Sequence, residues 1–215
     1  MNTPLPHVRR PQAERSANTR AKLIEAAINC LHRQGYSLTG TSQVAEEAGV
    51  SRGAMLHQFP TKTDLMLAVV RAVFERDSEY YRQTILTMTP QDWMRGVAET
   101  VWEVVSRPSG IAVMEIMLAS RSDAELADKL RAIQLQIDDE ARVWVSERRV
   151  AAGLDNRPDS EAIHRLFVAA ARGLALEQLF MNNRGEIKKS IDVLSEVLYH
   201  FYPQLAKPGA ADAQD

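Results

Sequence analysis

Apolar residues recur along this chain at the three- and four-residue spacing of amphipathic α-helices. The first such run carries Leu23, Ile24, Ala27, Ile28 and Leu31, and it stops at Gly35. The later runs keep the same spacing, and none shows the two-residue alternation of a strand. The pattern therefore predicts an all-α protein.

The predicted helices follow one another with turn signals between them. A short second helix starts at Thr39 or Gly40, a third follows Ser51, and a capping-box pattern at Thr61 and Asp64 starts a fourth. Breaks fall at Pro90, at Pro108, over 153–158 and over 182–185. With the fourth helix at roughly 63–81, the later helices are predicted over about 91–106, 109–120, 123–151, 159–182 and 186–202, about nine in all.

The segment from Val44 to Lys62 has the pattern of a helix-turn-helix motif. Ala45 is small enough for two helices to cross closely, Gly49 permits the left-handed turn, and Ser51 is a natural N-cap for the next helix. In such motifs the second helix enters the major groove of DNA. The residues expected to hold the helices together are Val44, Ala48, Val50 and Met55.

The last two helices are apolar around most of their circumference. Residues 166–181 include several alanines and Gly173, and the next helix carries Ile187, Ile191 and Leu198. A helix that is apolar on several sides needs burial on several sides. We therefore expect a homodimer joined by a four-helix bundle, which would place two reading heads about 34–36 Å apart on successive major grooves.

Composition supports a soluble, cytoplasmic protein. Of 215 residues, 45% are hydrophobic and 25% charged, and the one cysteine, Cys30, lies in an apolar helical run. No signal peptide or membrane span is predicted. Residues 1–62 carry eight basic and four acidic residues, a balance of +4, whereas the remainder carries −6. A basic head on an acidic body suits a DNA-binding protein.

The chain resembles the TetR (tetracycline-repressor) family of bacterial transcriptional regulators. The resemblance is strongest over residues 18–75, in TRAKLIEAAINCLHRQG and SQVAEEAGVSRGAMLHQFPTKTDL. It implies an N-terminal three-helix DNA-binding domain and a variable helical domain that usually binds a small molecule. The expected divisions are a disordered basic arm (1–17), a DNA-binding domain (18–77), an effector-binding and dimerisation domain (78–203) and a disordered tail (204–215).

The resemblance also implies which residues contact double-stranded DNA. Arg52 is the candidate for bidentate recognition of guanine, while His57 and Lys62 match phosphate-contacting positions. Leu56 departs from the usual tyrosine and could touch a thymine methyl, and Gly40 departs from the usual threonine. The full predicted set is Thr41, Ser42, Gln43, Ser51, Arg52, Gly53, Ala54, Leu56, His57 and Lys62.

An effector pocket is expected among the later helices, for a small hydrophobic or amphipathic molecule. The polar residues Glu115, Arg121, Arg172 and Glu177 interrupt apolar runs; they either orient a ligand, pair between subunits or face solvent. The predicted pocket residues are Trp93, Trp102, Met114, Met117, Arg121, Trp144, Phe167, Arg172 and Phe180.

Two alternatives to a ligand-responsive repressor are carried forward. One is an activator or an adaptor with the same DNA-binding domain and no small-molecule ligand. The other is a di-iron helical bundle, suggested by Glu161 and His164, although only one Glu-x-x-His pair occurs where two are needed. We accordingly predict a protein with no catalytic residues, no metal site and no cofactor, and no membrane partner.

Overall fold

The computed structural model describes residues 12–154, 157–181 and 184–206, and these residues form an all-α fold. The described ranges contain ten α-helices and two short 3₁₀ turns, at 120–122 and 203–205, and no strand. The helices are α1 (Gln12–Leu38), α2 (Thr41–Glu47), α3 (Arg52–Gln58), α4 (Lys62–Ile85), α5 (Pro90–Arg95), α6 (Val97–Val105), α7 (Pro108–Ala119), α8 (Ala124–Ala151), α9 (Ser160–Phe180) and α10 (Arg184–Phe201).

The all-α prediction is confirmed, with one helix more than expected in the described residues. The run predicted as one helix over 91–106 divides at Gly96, which ends α5 and precedes α6. Glycine loses more conformational freedom in a helix than other residues, so it is a cheap place to break one.

The predicted arm and tail are shorter than expected. Helix α1 begins at Gln12, so residues 12–17 are helical rather than part of a disordered arm. Ser16 Oγ accepts a hydrogen bond from Gln58 at 2.7 Å, which ties this first turn to the end of α3. At the other end Leu205 is fully buried, and its carbonyl accepts a bond from Arg95 at 2.8 Å. Residues 1–11 and 207–215 lie outside the described residues.

The turn and cap residues predicted from sequence adopt the expected conformations. Gly49 has φ +64°, a left-handed conformation that costs glycine little. Ser51 Oγ accepts a bond from the backbone N–H of Ala54 at 3.2 Å and caps α3. Thr61 and Asp64 form the reciprocal capping box at the start of α4. Local sequence therefore determines where α3 and α4 begin.

Two clusters of buried side chains organise the molecule. The first joins the head, helices α1–α3, to the body, helices α4–α10: Val44 and Met55 share a core with Leu65 of α4, Ile116 of α7 and Leu126 of α8. This core crosses the expected domain boundary at residue 77, which falls inside α4. The head is thus packed onto the body rather than hinged to it by a free linker.

The second cluster lies at the other end of the body. It contains Trp93 of α5, Phe167 of α9, Ile191 and Leu198 of α10 and Tyr202. No helix within the described ranges is both long enough and apolar enough to cross a membrane.

Candidate nucleic-acid interface and internal cavity

Helix α3 separates its buried side from its exposed side as a recognition helix must. Met55 is completely buried, while Arg52, Gly53 and His57 are exposed and Leu56 is 40% exposed. Ser51 is exposed too, but its hydroxyl already caps the helix. The predicted contact residues of α3 therefore share one outer surface, with Ala54 half-buried at its edge.

The start of α2 contributes the second part of this surface. Ser42 and Gln43 are exposed and Thr41 is half-buried. Gln43 folds back over the helix start, so that its Oε1 lies 2.7 Å from where a Cβ on Gly40 would stand. A threonine at residue 40 would displace this atom, but it is the end of a flexible, exposed side chain, so the contact does not explain the Gly40 departure.

An ion pair holds α2 against α1. Arg33 Nη2 lies 2.9 Å from Glu47 Oε2, and this hydrogen bond lowers the pKa of Glu47. Both side chains are solvated, so screening by water keeps the contribution of the pair to stability small. Cys30 beside it is buried, in agreement with its prediction as a small apolar residue.

Lys62, the first residue of α4, makes two contacts with Tyr36 of α1. Its ammonium donates to the backbone carbonyl of Tyr36 at 2.7 Å and sits over the Tyr36 ring, 3.7 Å from the centroid. Burial lowers its pKa, partly offset by the charge of Asp123. Lys62 thus binds the end of α1 in this structure, and its contact with phosphate stays a prediction.

Glu115 of α7 holds the same peptide segment from the other side. Its Oε2 accepts a hydrogen bond from the backbone N–H of Tyr36 at 3.0 Å. The preceding Gly35 breaks α1 with φ +76°, and a Cβ there would stand 3.2 Å from Glu115 Oε2. We call these four residues, Gly35, Tyr36, Lys62 and Glu115, the α1 joint. Glu115 thus links head and body, a role not among the three left open for it.

The body encloses a cavity of about 330 Å³ between α4, α5, α6, α8, α9 and α10. This volume is within the range of small-molecule pockets. Aromatic rings form one end: Trp93 meets Trp144 edge-on with centroids 5.0 Å apart, and Tyr81 lies 5.5 Å from Trp144. Valines of α6, Ile137 of α8 and Phe167 of α9 extend the apolar wall.

Several polar groups interrupt this wall. Asp77 and Tyr81 of α4 line the cavity together with His164 and Arg172 of α9. Burial raises the pKa of Asp77 to about 6, although the charges of Arg107 and Arg76 oppose the shift. Burial also raises the pKa of Tyr81 and lowers those of His164 and Arg172. The cavity is therefore amphipathic.

The predicted pocket residues divide into two groups. Trp93, Trp144, Phe167 and Arg172 line the cavity, and Met114 lines a smaller adjoining one of about 100 Å³. The other four residues belong elsewhere. Trp102 packs against the second core, Met117 packs against the first, Arg121 is exposed on the turn after α7, and Phe180 is 82% exposed at the end of α9.

The sequence missed Asp77 and Tyr81 as cavity residues. Asp77 follows Val70, Val73 and Phe74 at helical spacing, so an acid on the buried face of α4 was the available signal. Tyr81 could be predicted as a cavity residue only by knowing that α4 passes beside α8, since only the fold brings it to Trp144.

The di-iron hypothesis finds no support. His164 faces the cavity, whereas Glu161 is exposed and lies 3.8 Å from Arg142. Across the described parts of the chain no three His, Cys, Asp or Glu side chains come together as metal ligands would.

A helix-turn-helix head with an exposed recognition helix, packed on a helical body with a cavity, defines a DNA-binding transcriptional regulator. The profile of "Bacterial regulatory proteins, tetR family" matches residues 23–69. The transcriptional regulator CymR of Pseudomonas putida is 28% identical over 93% of this chain and 98% of its own length. The transcriptional repressor AcnR of Corynebacterium glutamicum is 29% identical over 86% and 91%.

The fold agrees with these relatives. The structure of Salmonella enterica GusR matches with a TM-score of 0.68 over 91% of this chain and 98% of that chain, at 19% sequence identity. The match to the TetR family model covers residues 23–69, and the similarity to the two regulators extends over most of the chain. Both of these relatives are named as transcriptional regulators, which favours a regulator over the di-iron alternative.

Replacing Lys62 by methionine tests its place in the α1 joint. The Tyr36 carbonyl would lose a charged donor, so we expect the free energy of unfolding to fall by about 1–3 kcal/mol in urea titrations. The exposed Arg52→Ala change is the control, with an expected effect within about 0.5 kcal/mol. Unchanged stability together with weaker DNA binding would instead favour a contact between Lys62 and a DNA phosphate.

Proposed function

We propose that this chain is a homodimeric, ligand-responsive repressor that binds a pseudo-palindromic operator and is released by a small amphipathic molecule. The observation that carries this proposal is the amphipathic cavity in the body. It favours a ligand sensor over an adaptor, because an adaptor has no use for an internal space of about 330 Å³.

Helix α4 offers a direct route from the cavity to the DNA-binding head. It begins at Lys62 in the α1 joint and lines the cavity from Phe74 to Arg82. Fifteen residues separate Lys62 from Asp77, a distance of about 22 Å along a helix. A ligand that displaces α4 would therefore also move the support of α1, and with it the spacing of the two heads.

Helix α7 offers a second route. Its Glu115 binds the Tyr36 N–H, and its Met114 lines the smaller cavity beside the main one. Adjacent residues of one helix thus face the ligand space and the head. Repression would be relieved when the ligand favours a head spacing that no longer fits two successive grooves, a population shift of about 1–3 kcal/mol.

Arg52 is proposed to recognise a base in the operator. No hydrogen bond or ion pair ties it to any part of the chain that the structure describes, so its guanidinium is available. Leu56, also exposed on α3, offers an apolar contact for a thymine methyl.

Arg52→Ala should weaken binding to the best operator by about 1–3 kcal/mol and relax its sequence preference. Binding would be measured by fluorescence anisotropy on DNA from the region beside the gene and on single-base variants of it. Arg71→Ala, an exposed arginine of α4, is the matched control. Equal losses on all sequences would mean that Arg52 contacts only phosphate.

The dimer is proposed to form through α9 and α10. Opposite its cavity side, α9 exposes Leu166, Gly173 and Phe180, and nothing lies within 4 Å of where a Cβ on Gly173 would stand. Helix α10 exposes Val193 and Val197 one turn apart. Two small and apolar helix faces next to each other are what a second copy of the chain would cover in a four-helix bundle.

Val193→Arg should convert the dimer to a monomer, because an unpaired charge would be buried in an apolar interface. Sedimentation velocity over a concentration series would measure the change. Leu135→Arg is the control, since Leu135 of α8 is also exposed, at 61%, but lies outside the proposed interface. Dissociation by the control and not by Val193→Arg would place the interface on α8.

Filling the cavity tests ligand response directly. Ala141→Trp puts a large side chain into the cavity, so operator binding should persist while compounds that release the wild type should no longer do so. Ala132→Trp, at an exposed position of the same helix, should remain responsive. A response that survives Ala141→Trp would place the ligand elsewhere.

A further inference from the structure

The polar groups of the cavity are not equally satisfied. Arg172 has no hydrogen bond or ion pair with any described residue, although it is half-buried. It lines both the main cavity and the smaller one beside it. A guanidinium with five donors and no acceptor partner is costly at such a place unless something else supplies the acceptor.

Asp77 is the other unsatisfied charge. Its Oδ1 is buried and has no hydrogen-bond partner within the described chain, and the residue lines the same two cavities as Arg172. The two side chains do not form an ion pair with each other. The pKa of Tyr81 responds to both groups, because the charge of Asp77 raises it and the charge of Arg172 lowers it.

Asp77 and Arg172 differ in whether they can lose their charge. Arg76 and Arg107 already offset part of the charge of Asp77, and with a pKa of about 6 its carboxyl group can take up a proton. Arg172 has no comparable option, because an arginine remains protonated in proteins even when burial lowers its pKa. Arg172 therefore keeps its positive charge. The carboxylates of Asp138 and Glu140 also line the cavity, and the charge of Asp138 offsets part of the cost of burying Arg172.

We propose that the effector of this cavity is an amphipathic monoanion, with an aromatic body against the wall that contains Trp144 and Phe167 and an acidic group bound by Arg172. The proposal rests on the proposed function, which assigns this cavity to the effector. A planar carboxylate suits the guanidinium because it accepts two parallel hydrogen bonds. Tyr81 donates a further hydrogen bond to the acidic group of the ligand, and protonated Asp77 can donate another.

The proposal gives each wall of the cavity a separate task. The rings of Tyr81, Trp93 and Trp144 pack directly on one another and together form one aromatic wall of the cavity, against which an apolar body can lie. The volume of about 330 Å³ suits a molecule of one or two rings. A neutral apolar compound would fill the same space but leave Arg172 without an acceptor. The acidic group of the ligand therefore determines selectivity.

Three probes of one shape and different charge test the ligand class: 2-naphthoate, 2-naphthamide and 2-naphthylmethylammonium. Isothermal titration calorimetry on the full-length protein should show 2-naphthoate binding roughly 10- to 100-fold more tightly than the amide, the range expected for a charged hydrogen bond. The ammonium compound should bind most weakly. Equal or tighter binding of the amide or the ammonium compound overturns the proposal, as does no binding of 2-naphthoate.

Variants of the residues that bind the acidic group of the ligand show which residue sets the preference for 2-naphthoate. Arg172→Gln should abolish the preference for 2-naphthoate over the amide, and Arg172→Lys should restore part of it. Arg165→Gln, on the exposed side of α9, should keep the full preference. The Asp77→Asn variant should still bind 2-naphthoate, because the amide of asparagine always donates a hydrogen bond, whereas aspartate donates one only when it is protonated. A preference that survives Arg172→Gln, or is lost in Asp77→Asn, contradicts the assignment.

Operator release is measured separately on the same probes. If 2-naphthoate binds with the expected preference and leaves the operator complex intact, the anion site stands and the proposed regulation fails. If 2-naphthamide or the ammonium compound releases the operator and 2-naphthoate does not, the regulation stands and the anion proposal fails.

Discussion

One peptide segment of the head, Gly35–Tyr36, is held by two helices of the body, and the position of the head depends on it. The N–H of Tyr36 binds the carboxylate of Glu115 and its C=O binds the ammonium of Lys62. Both are charge-assisted hydrogen bonds, about twice as strong as neutral ones. Because they come from α7 and α4, movement of either helix in the body reaches α1 without passing through a flexible linker.

The cavity shows the opposite arrangement, in which charges are left unsatisfied. Asp77 and Arg172 share the same space without pairing, although pairing would offset the cost of burying each. Such a site is unfavourable when empty and is stabilised by a ligand of complementary charge. The same α4 that carries Asp77 begins in the α1 joint, so one helix both lines the cavity and supports the head.

The elements that the sequence predicted correctly depend on local chemistry. Gly49 turns, Ser51 caps and the Thr61–Asp64 box form because each involves residues within one turn of each other. The exposed side of α3 follows from helical spacing alone, which is why its outer residues were predicted correctly. The contact of Lys62 with the Tyr36 carbonyl was not predicted, because the two residues lie 26 positions apart in sequence.

The sequence by itself determined the helical class, the turn-and-cap chemistry of the head and the apolar faces of α9 and α10. These features are periodic or local, so a single chain of letters contains them. Only the tertiary structure decided that Trp93 and Trp144 enclose a cavity while Phe180 does not, and that Glu115 supports the head. Those outcomes depend on which helices cross and at which residues, and side-chain packing between distant segments sets both.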